Sequence, residues 1–439
     1  MQLEKLSPEE LLNFTSTQVV GRQLLFETPF GRKLRLYVDF TASGQDAHFV
    51  ADLVKRIEEL YSNTHMETSI TGAYSSKLLL DAKMAVLQSL KGDPERYLVM
   101  GQGMGCCWAI EQTQKLLGTY IPGATRKQLA KAFGSWENVK KPLREQGDLP
   151  LVVLSHVEHL ANETSWRNQL CDVVVCPGDI DGQADVEALE KILLEHRPSR
   201  KTIIGSFTAS SNLTGIRMDL DGIAKTLKKY GALFFLDYAA TSPYDPIDLS
   251  KTTSDGRLII DGLYISPHKF IGGPGASGIC VFNRACFEPT AAVAPNWRKD
   301  QLMTDEMIPI SPGITQIIKA GLAFRLKSLM QDAIEAREHR HLVRFREAVK
   351  NFKNFKLLGP EIQCENRVGI VAFKIFHNDR MLHHNFVGRL FNDIFGIQCK
   401  LFFSSIKSSN ILNFFKFFSY SLKLHLGWFI WLPIDGNRR

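Results

Sequence analysis

The chain has 439 residues, 44% of them apolar and 23% charged, with a formal net charge of +7. That length exceeds one ordinary core and predicts two domains of a soluble globular protein. The charge gathers into no dense Lys/Arg block of the kind that marks a nucleic-acid surface. Eight cysteines without a C-x-x-C pair predict free thiols in a reducing compartment rather than disulfides or zinc, and Met1–Lys5 lacks the apolar run of a signal peptide. A cytoplasmic location is the expectation.

Ser7-Pro8-Glu9-Glu10 opens a helix: a serine cap, proline at the first helical position and glutamate three after the cap. An N-terminal arm then runs to Arg35. Leu36–Phe40 reads as a strand, Thr41–Gly44 as a turn, and residues 46–61 as an amphipathic helix with Phe49, Val50, Leu53, Ile57 and Leu60 on one side. Asn63–Gly72 is polar and rich in hydroxyls, which fits either a solvated loop or a wall facing a substrate. A helix over 75–91 leads to a strand, Arg96–Met100, the glycine turn Gly101-Gln-Gly103-Met104-Gly105, and a helix to Leu117.

Strand, glycine turn and helix together bind anions, because free N–H groups and the helix dipole converge there. A dinucleotide fingerprint needs G-x-G-x-x-G and a later acidic residue, and a P-loop needs Gly-Lys-Ser/Thr; neither is complete here. A cradle for a single phosphate asks for less and remains. Residues 121–147 read as basic, irregular surface. Leu151–Ser155 is a strand leading into His156-Val-Glu-His159, where a histidine can be a plain loop residue or can stack on a flat ring. Cys171–Cys176 is the next strand and Val186–Glu195 the next helix.

Thr202–Phe207 runs into Ser211-Asn212, Asp219–Tyr230 is a helix closed by Gly231, and Ala232–Asp237 is an apolar run ended by a carboxylate. Asp261–Val281 then gives strand, polar corner, glycine-rich turn and strand, with Ser266, His268 and Lys269 at the corner. Alternating strands and helices from Tyr97 to Phe282 predict an α/β domain with a mainly parallel sheet, whose carboxyl ends line one crevice. Beyond Phe282 the pattern changes. Residues 285–312 hold several prolines, Ile314–Gln331 reads as helical and Ala333–Val349 continues as a charged helix, Val368–Ile375 reads as a strand and His384–Phe395 as a helix, together a smaller α+β domain. The expected division is an arm over 1–35, a cofactor-binding domain over 36–310, a small domain over 311–400 and an aromatic tail over 401–439.

A lone lysine in a turn is ordinarily surface. Lys269, however, follows an apolar strand, where burial turns a lysine into a usable amine able to form a Schiff base. Ser266-Pro-His-Lys269 with the following Gly-Gly-Pro-Gly, in order after Asn212 and Asp237, resembles the fold-type I pyridoxal-phosphate enzymes, and within them the class V aminotransferase and cysteine desulfurase-like group. The similarity runs from about Leu36 to about Gln398. The resemblance implies pyridoxal 5'-phosphate as cofactor, an amino acid as small-molecule substrate and a homodimer, with no nucleic-acid or membrane partner and no metal.

It also implies roles. Lys269 is the Schiff-base lysine and later the acid/base at the α-carbon. Asp237 pairs with the ring nitrogen, His159 stacks on the ring, and Asn212 lies near the ring oxygen. Ser266, His268 and the turn Gly103, Met104 and Gly105 hold the phosphate. The sequence departs from the group at Ala240, where a glutamine is common, at Met104 and Gly105, where Thr or Ser is usual, and over 286–310, where a glycine-rich segment is expected. After Lys400 the composition changes abruptly to Phe, Ser, Asn and Lys, as in a retained intron, with no run near the roughly 18 apolar residues of a membrane span. Where the group has a cysteine loop and a carboxylate-binding arginine, this chain has neither pattern. The resemblance therefore implies transaminase or lyase chemistry, with an inert cofactor-binding relative as the alternative.

Overall fold

A computed structural model describes residues 3–64, 66, 68–254, 256, 259–286, 313–360, 364–403 and 420–425, the side chains of 401–403 and 420–425 excepted. The expected glycine-rich segment, the boundary at 310 and most of the aromatic tail lie outside the described residues.

Seven strands build the main sheet: β1 (Tyr97–Gln102), β2 (Leu151–Ser155), β3 (Asp172–Cys176), β4 (Ile203–Thr208), β5 (Leu233–Asp237), β6 (Gly262–Ile265) and β7 (Gly278–Asn283). Their order is β1-β7-β6-β5-β4-β2-β3. The block from β6 to β3 is parallel throughout, and β7 runs antiparallel to both β6 and β1. The sheet is therefore mainly parallel, as the alternation of strands and helices predicts. Parallel sheets are covered on both faces, so their strands are continuously apolar. Every residue of β2, β4, β6 and β7 is buried. Val153, Phe207, Phe234, Leu236, Leu263 and Val281 fill one face, while Val152, Leu154, Ile204, Phe235, Tyr264 and Phe282 fill the other.

Register decides where the chemistry sits. Thr208 pairs with Asp237, and Asp237 with Tyr264, so β4, β5 and β6 end level with one another. The polar residues that close these apolar runs therefore gather along one edge.

One region differs from expectation in kind. Residues 121–147 are not irregular: they form helices Gly123–Ala132 and Trp136–Glu145, separated at Gly134, whose φ is +82°. The second is capped by Ser135, whose hydroxyl accepts from Asn138 N at 3.1 Å. Its Lys140 and Arg144 pair with Asp172 of β3 at 3.1 and 2.7 Å. The helix expected over 314–331 and continuing over 333–349 is a single one, Ile314–Val349.

At the N-terminus, helix Pro8–Thr17 carries the capping box of Ser7 and Glu10. The strand expected over Leu36–Phe40 is shorter, Leu36–Tyr37, and pairs in parallel with Ile397–Gln398. Helix His384–Phe395 ends at Gly396, whose φ of +74° is the left-handed cap. A second sheet joins Phe355–Leu357, Ile370–His377, Tyr420–His425 and Lys400–Phe403 in that order, with Arg380–Met381 added to Ile370–His377. Two stretches from the unusual tail thus contribute backbone to this sheet. Among the described residues, no helix is long and apolar enough to cross a membrane.

Candidate cofactor site

The site lies at the level edge of β4, β5 and β6. Asp237 closes β5 and is 3% exposed. Its Oδ1 accepts from Ala239 N at 3.0 Å. Burial pushes its carboxyl above the usual carboxylate range, opposed by that bond and by the charge of Lys269. A buried carboxylate so placed calls for a cation.

Lys269 ends the single turn Pro267–Lys269 that follows β6. The glycine turn reaches this corner from β1. Gly103 and Gly105 have φ of +57° and +63°, conformations that favour glycine. A Cβ on Gly105 would lie 2.7 Å from His268 Cε1 and 2.9 Å from Ser266 Oγ, so the missing side chain is what lets the cradle close. Cys106 N donates to Ser266 Oγ at 2.9 Å, which leaves the hydroxyl proton of Ser266 available to an anion. Helix Gly105–Leu116 begins here, with its N-terminal dipole at the same point. Burial and the neighbouring Lys269 push His268 down to about 4, so it is a neutral imidazole at pH 7.

His159 caps helix Leu160–Arg167, accepting from Ala161 N on Nδ1 at 3.2 Å. The residue is exposed, and an uncovered imidazole is what ring stacking needs. Asn212 is half-buried in the turn after β4. Met104 stands before the helix at 80% exposure and makes no side-chain capping bond. Ser266, His268, Lys269, Gly103 and Gly105 thus share one corner with Asp237 beside it. Met104 sits at its rim. His159 and Asn212 enter on the turns after β2 and β4.

These residues fit pyridoxal 5'-phosphate. A phosphate suits the cradle of glycine N–H groups and Ser266, a protonated ring nitrogen suits Asp237, and the carbonyl suits the amine of Lys269.

Three features of the corner are absent from the sequence reading. Gly44, read as part of a simple turn, donates its N–H to His268 O at 2.8 Å, and Gln45 O accepts from Gly272 N at 2.9 Å. The N-terminal segment is therefore a wall of the site. Cys107 is exposed in the first turn of the helix, and a hydrogen bond from Cys106 holds its thiol down to about 6. Glu158, the residue before His159, turns its carboxylate to Ser155, Asn162 and Thr208. Adjacent cysteines after a glycine turn were the signal for the second; the first and third depend on contacts that no local pattern announces.

Comparison with known proteins follows the geometry. The family Aminotransferase class-V matches residues 119–390. A probable cysteine desulfurase 2 of Mycobacterium leprae is 23% identical over 258 residues, 55% of this chain and 57% of that protein. A probable cysteine desulfurase of Halalkalibacterium halodurans is 24% identical over 241 residues, 51% of this chain and 55% of that protein. The chain spans about half the length of the curated relatives it matches. A NifS-like protein from Rickettsia africae aligns with a TM-score of 0.66 at 16% identity, covering 89% of this chain and 94% of that one. A cysteine desulfurase from Thermococcus onnurineus aligns at 0.67 and 17%, covering 89% of each chain. At such identities the structural likeness concerns the fold.

Proposed function

The chain belongs to the aminotransferase class-V family, whose cofactor is pyridoxal 5'-phosphate, and on that premise we propose that it is an enzyme acting on an amino acid by transaminase or lyase chemistry. The observation that carries the reading is the convergence of Lys269, Asp237, Ser266, His268 and the Gly103–Gly105 turn at one edge of the sheet. When bound, the cofactor supplies an electron-withdrawing ring that takes up negative charge from the substrate's α-carbon. Lys269 supplies the amine that anchors it, and then holds and returns the proton at that carbon. Asp237 keeps a proton on the ring nitrogen. His159 covers one face of the ring against water, Asn212 takes the ring oxygen, and Ser266, His268, Gly103, Met104 and Gly105 fix the phosphate end.

The same reading places a second copy of the chain near the mouth. Leu60, Tyr61, Met66 and Ile70 are exposed, Ile70 at 91%, and Met104 and Leu160 are exposed beside the site. A homodimer would cover such a surface, and sedimentation of the purified protein measures it. The free thiols support a cytoplasmic location.

The deciding test is the visible absorption of protein mixed with pyridoxal phosphate, beside Lys269→Ala. A band in the wild type that is lost in the variant is the expected result; no band in folded wild type overturns the reading. Adding amino acids then separates turnover from inert binding, since an inert relative keeps its spectrum unchanged.

A further inference from the structure

The carboxylate of Glu158 is not used by the roles above, and it occupies an unusual position. Four donors converge on it. Oε1 accepts from Ser155 N at 3.2 Å, from Ser155 Oγ at 2.5 Å and from Thr208 N at 2.8 Å, while Oε2 accepts from Asn162 Nδ2 at 2.8 Å. Ser155 Oγ itself accepts from Val157 N at 3.4 Å, so its own proton is the one directed at Glu158. Three of the donors are N–H groups that can only donate. Ser155, Asn162 and Thr208 are all buried, at 3, 0 and 5% exposure.

These bonds join the carboxyl ends of β2 and β4 to the helix that His159 caps. Asn162 extends the link, since its Nδ2 also donates to Ser206 O at 3.2 Å and its Oδ1 accepts from Trp166 Nε1 at 3.0 Å. Thr208, which donates to Glu158, is the register partner of Asp237 on the neighbouring strand. Glu158 therefore stands on the far side of β4 from Asp237, and Asp237 is the charged group that acts on it; Lys269 acts on Asp237 in turn. Two carboxylates joined across β4 in this way raise the demand for a cation between β5 and the ring.

We propose that Glu158 is a positioning residue of the cofactor site, which fixes the turn bearing His159 and whose charge acts through Asp237 to hold the cofactor's ring nitrogen protonated. This rests on the cofactor reading. Burial, partly offset by the Ser155 and Asn162 hydrogen bonds, pushes the carboxyl up to about 7, and the charge of Asp237 adds to the rise. The arrival of a cationic ring nitrogen favours ionisation of both carboxylates.

The test compares wild type, Glu158→Gln and Glu158→Asp, each loaded with pyridoxal phosphate and titrated with acid and base while the visible band is followed. Cofactor dissociation constants are measured by fluorescence quenching of the apo proteins, and folding is checked by circular dichroism. Loss of the charge in Glu158→Gln is expected to lower the pH midpoint of the band by about one unit, for a charge acting through an effective dielectric of about 20. It is also expected to weaken cofactor binding. Glu158→Asp keeps the charge and should restore most of the midpoint. A folded Glu158→Gln protein with the wild-type midpoint overturns the proposal and leaves the cofactor reading standing. A wild type without any band overturns both.

Discussion

Replacing Gly44 with alanine should damage the site from a distance of 225 residues along the chain. A Cβ at this position would lie 2.1 Å from Phe270 O and 2.8 Å from both Lys269 C and Lys269 O. All three atoms are backbone, so no side chain can swing aside. The segment must move by roughly 1 Å, which breaks the 2.8 Å bond from Gly44 N to His268 O. Overpacking costs about 1–3 kcal/mol and the lost hydrogen bond about 1 kcal/mol, so Gly44→Ala should destabilise by about 2–4 kcal/mol. Gly123→Ala is the control: no atom lies within 4 Å of its Cβ, and it begins a helix, where alanine is tolerated or gains a few tenths of a kcal/mol. Urea denaturation of both apo proteins gives the stability difference, and equilibrium titration with pyridoxal phosphate gives affinity. Gly44→Ala should lose on both measures. If the two variants match each other and the wild type in urea midpoint and in affinity, the N-terminal segment is not a wall of the site.

Further expectations concern charge and packing. Asp237→Ala removes the buried carboxylate proposed to pair with the ring nitrogen and should weaken cofactor binding by roughly tenfold or more, the scale of a charged hydrogen bond, while leaving the far-ultraviolet circular dichroism unchanged. Phe324 is fully buried with its ring centroid 4.8 Å from that of Phe270, which follows Lys269. Phe324→Ala should cost about 3–5 kcal/mol in thermal or urea unfolding. Asp172 is opposed by burial, yet hydrogen bonds from Arg144, Arg200 and Lys140 hold it well below the usual carboxylate range. A depressed folded-state pKa gives stability that is present above the unfolded value and lost as pH falls, here below about pH 4. Asp172→Asn should therefore flatten the acid limb of a stability–pH curve while lowering its neutral plateau; an unchanged acid limb would count against the cluster.

Much of this molecule could be read from residues alone, and the gaps have physical causes. The strands of the main sheet are short apolar runs closed by polar groups, a signature that burial on both faces imposes. Helix His384–Phe395 has the bounds expected of it, and Gly396 supplies its left-handed cap. The helices over 123–145 were missed because they bury little: Gly123–Ala132 has no fully buried residue, and Trp136–Glu145 buries only Lys140. A helix that rests on the surface leaves a weak apolar stripe. The face that Ile314–Val349 buries changes along its length. Ile317 and Phe324 serve the main sheet, Met330 and Ile334 the N-terminal arm, and Leu342 the second sheet, while the buried Lys327, Arg337 and Glu338 break the apolar pattern. The corner at Ser266–Lys269 was legible because its chemistry is contiguous. The approach of Gly44 and the clamp at Glu158 were not, because their partners lie far along the chain.

The 36 residues of Ile314–Val349 form a single rod of about 54 Å. Its buried residues run from Ile314 to Leu342, so it is held by its neighbours along most of that length. Its first turns press on helix Ile70–Ser89 and the glycine strand edge at Gly101, and its last turns carry Leu342 into the core of the second sheet. A single uninterrupted helix therefore joins the packing at the strand edge beside Gly101 to the packing of the second sheet.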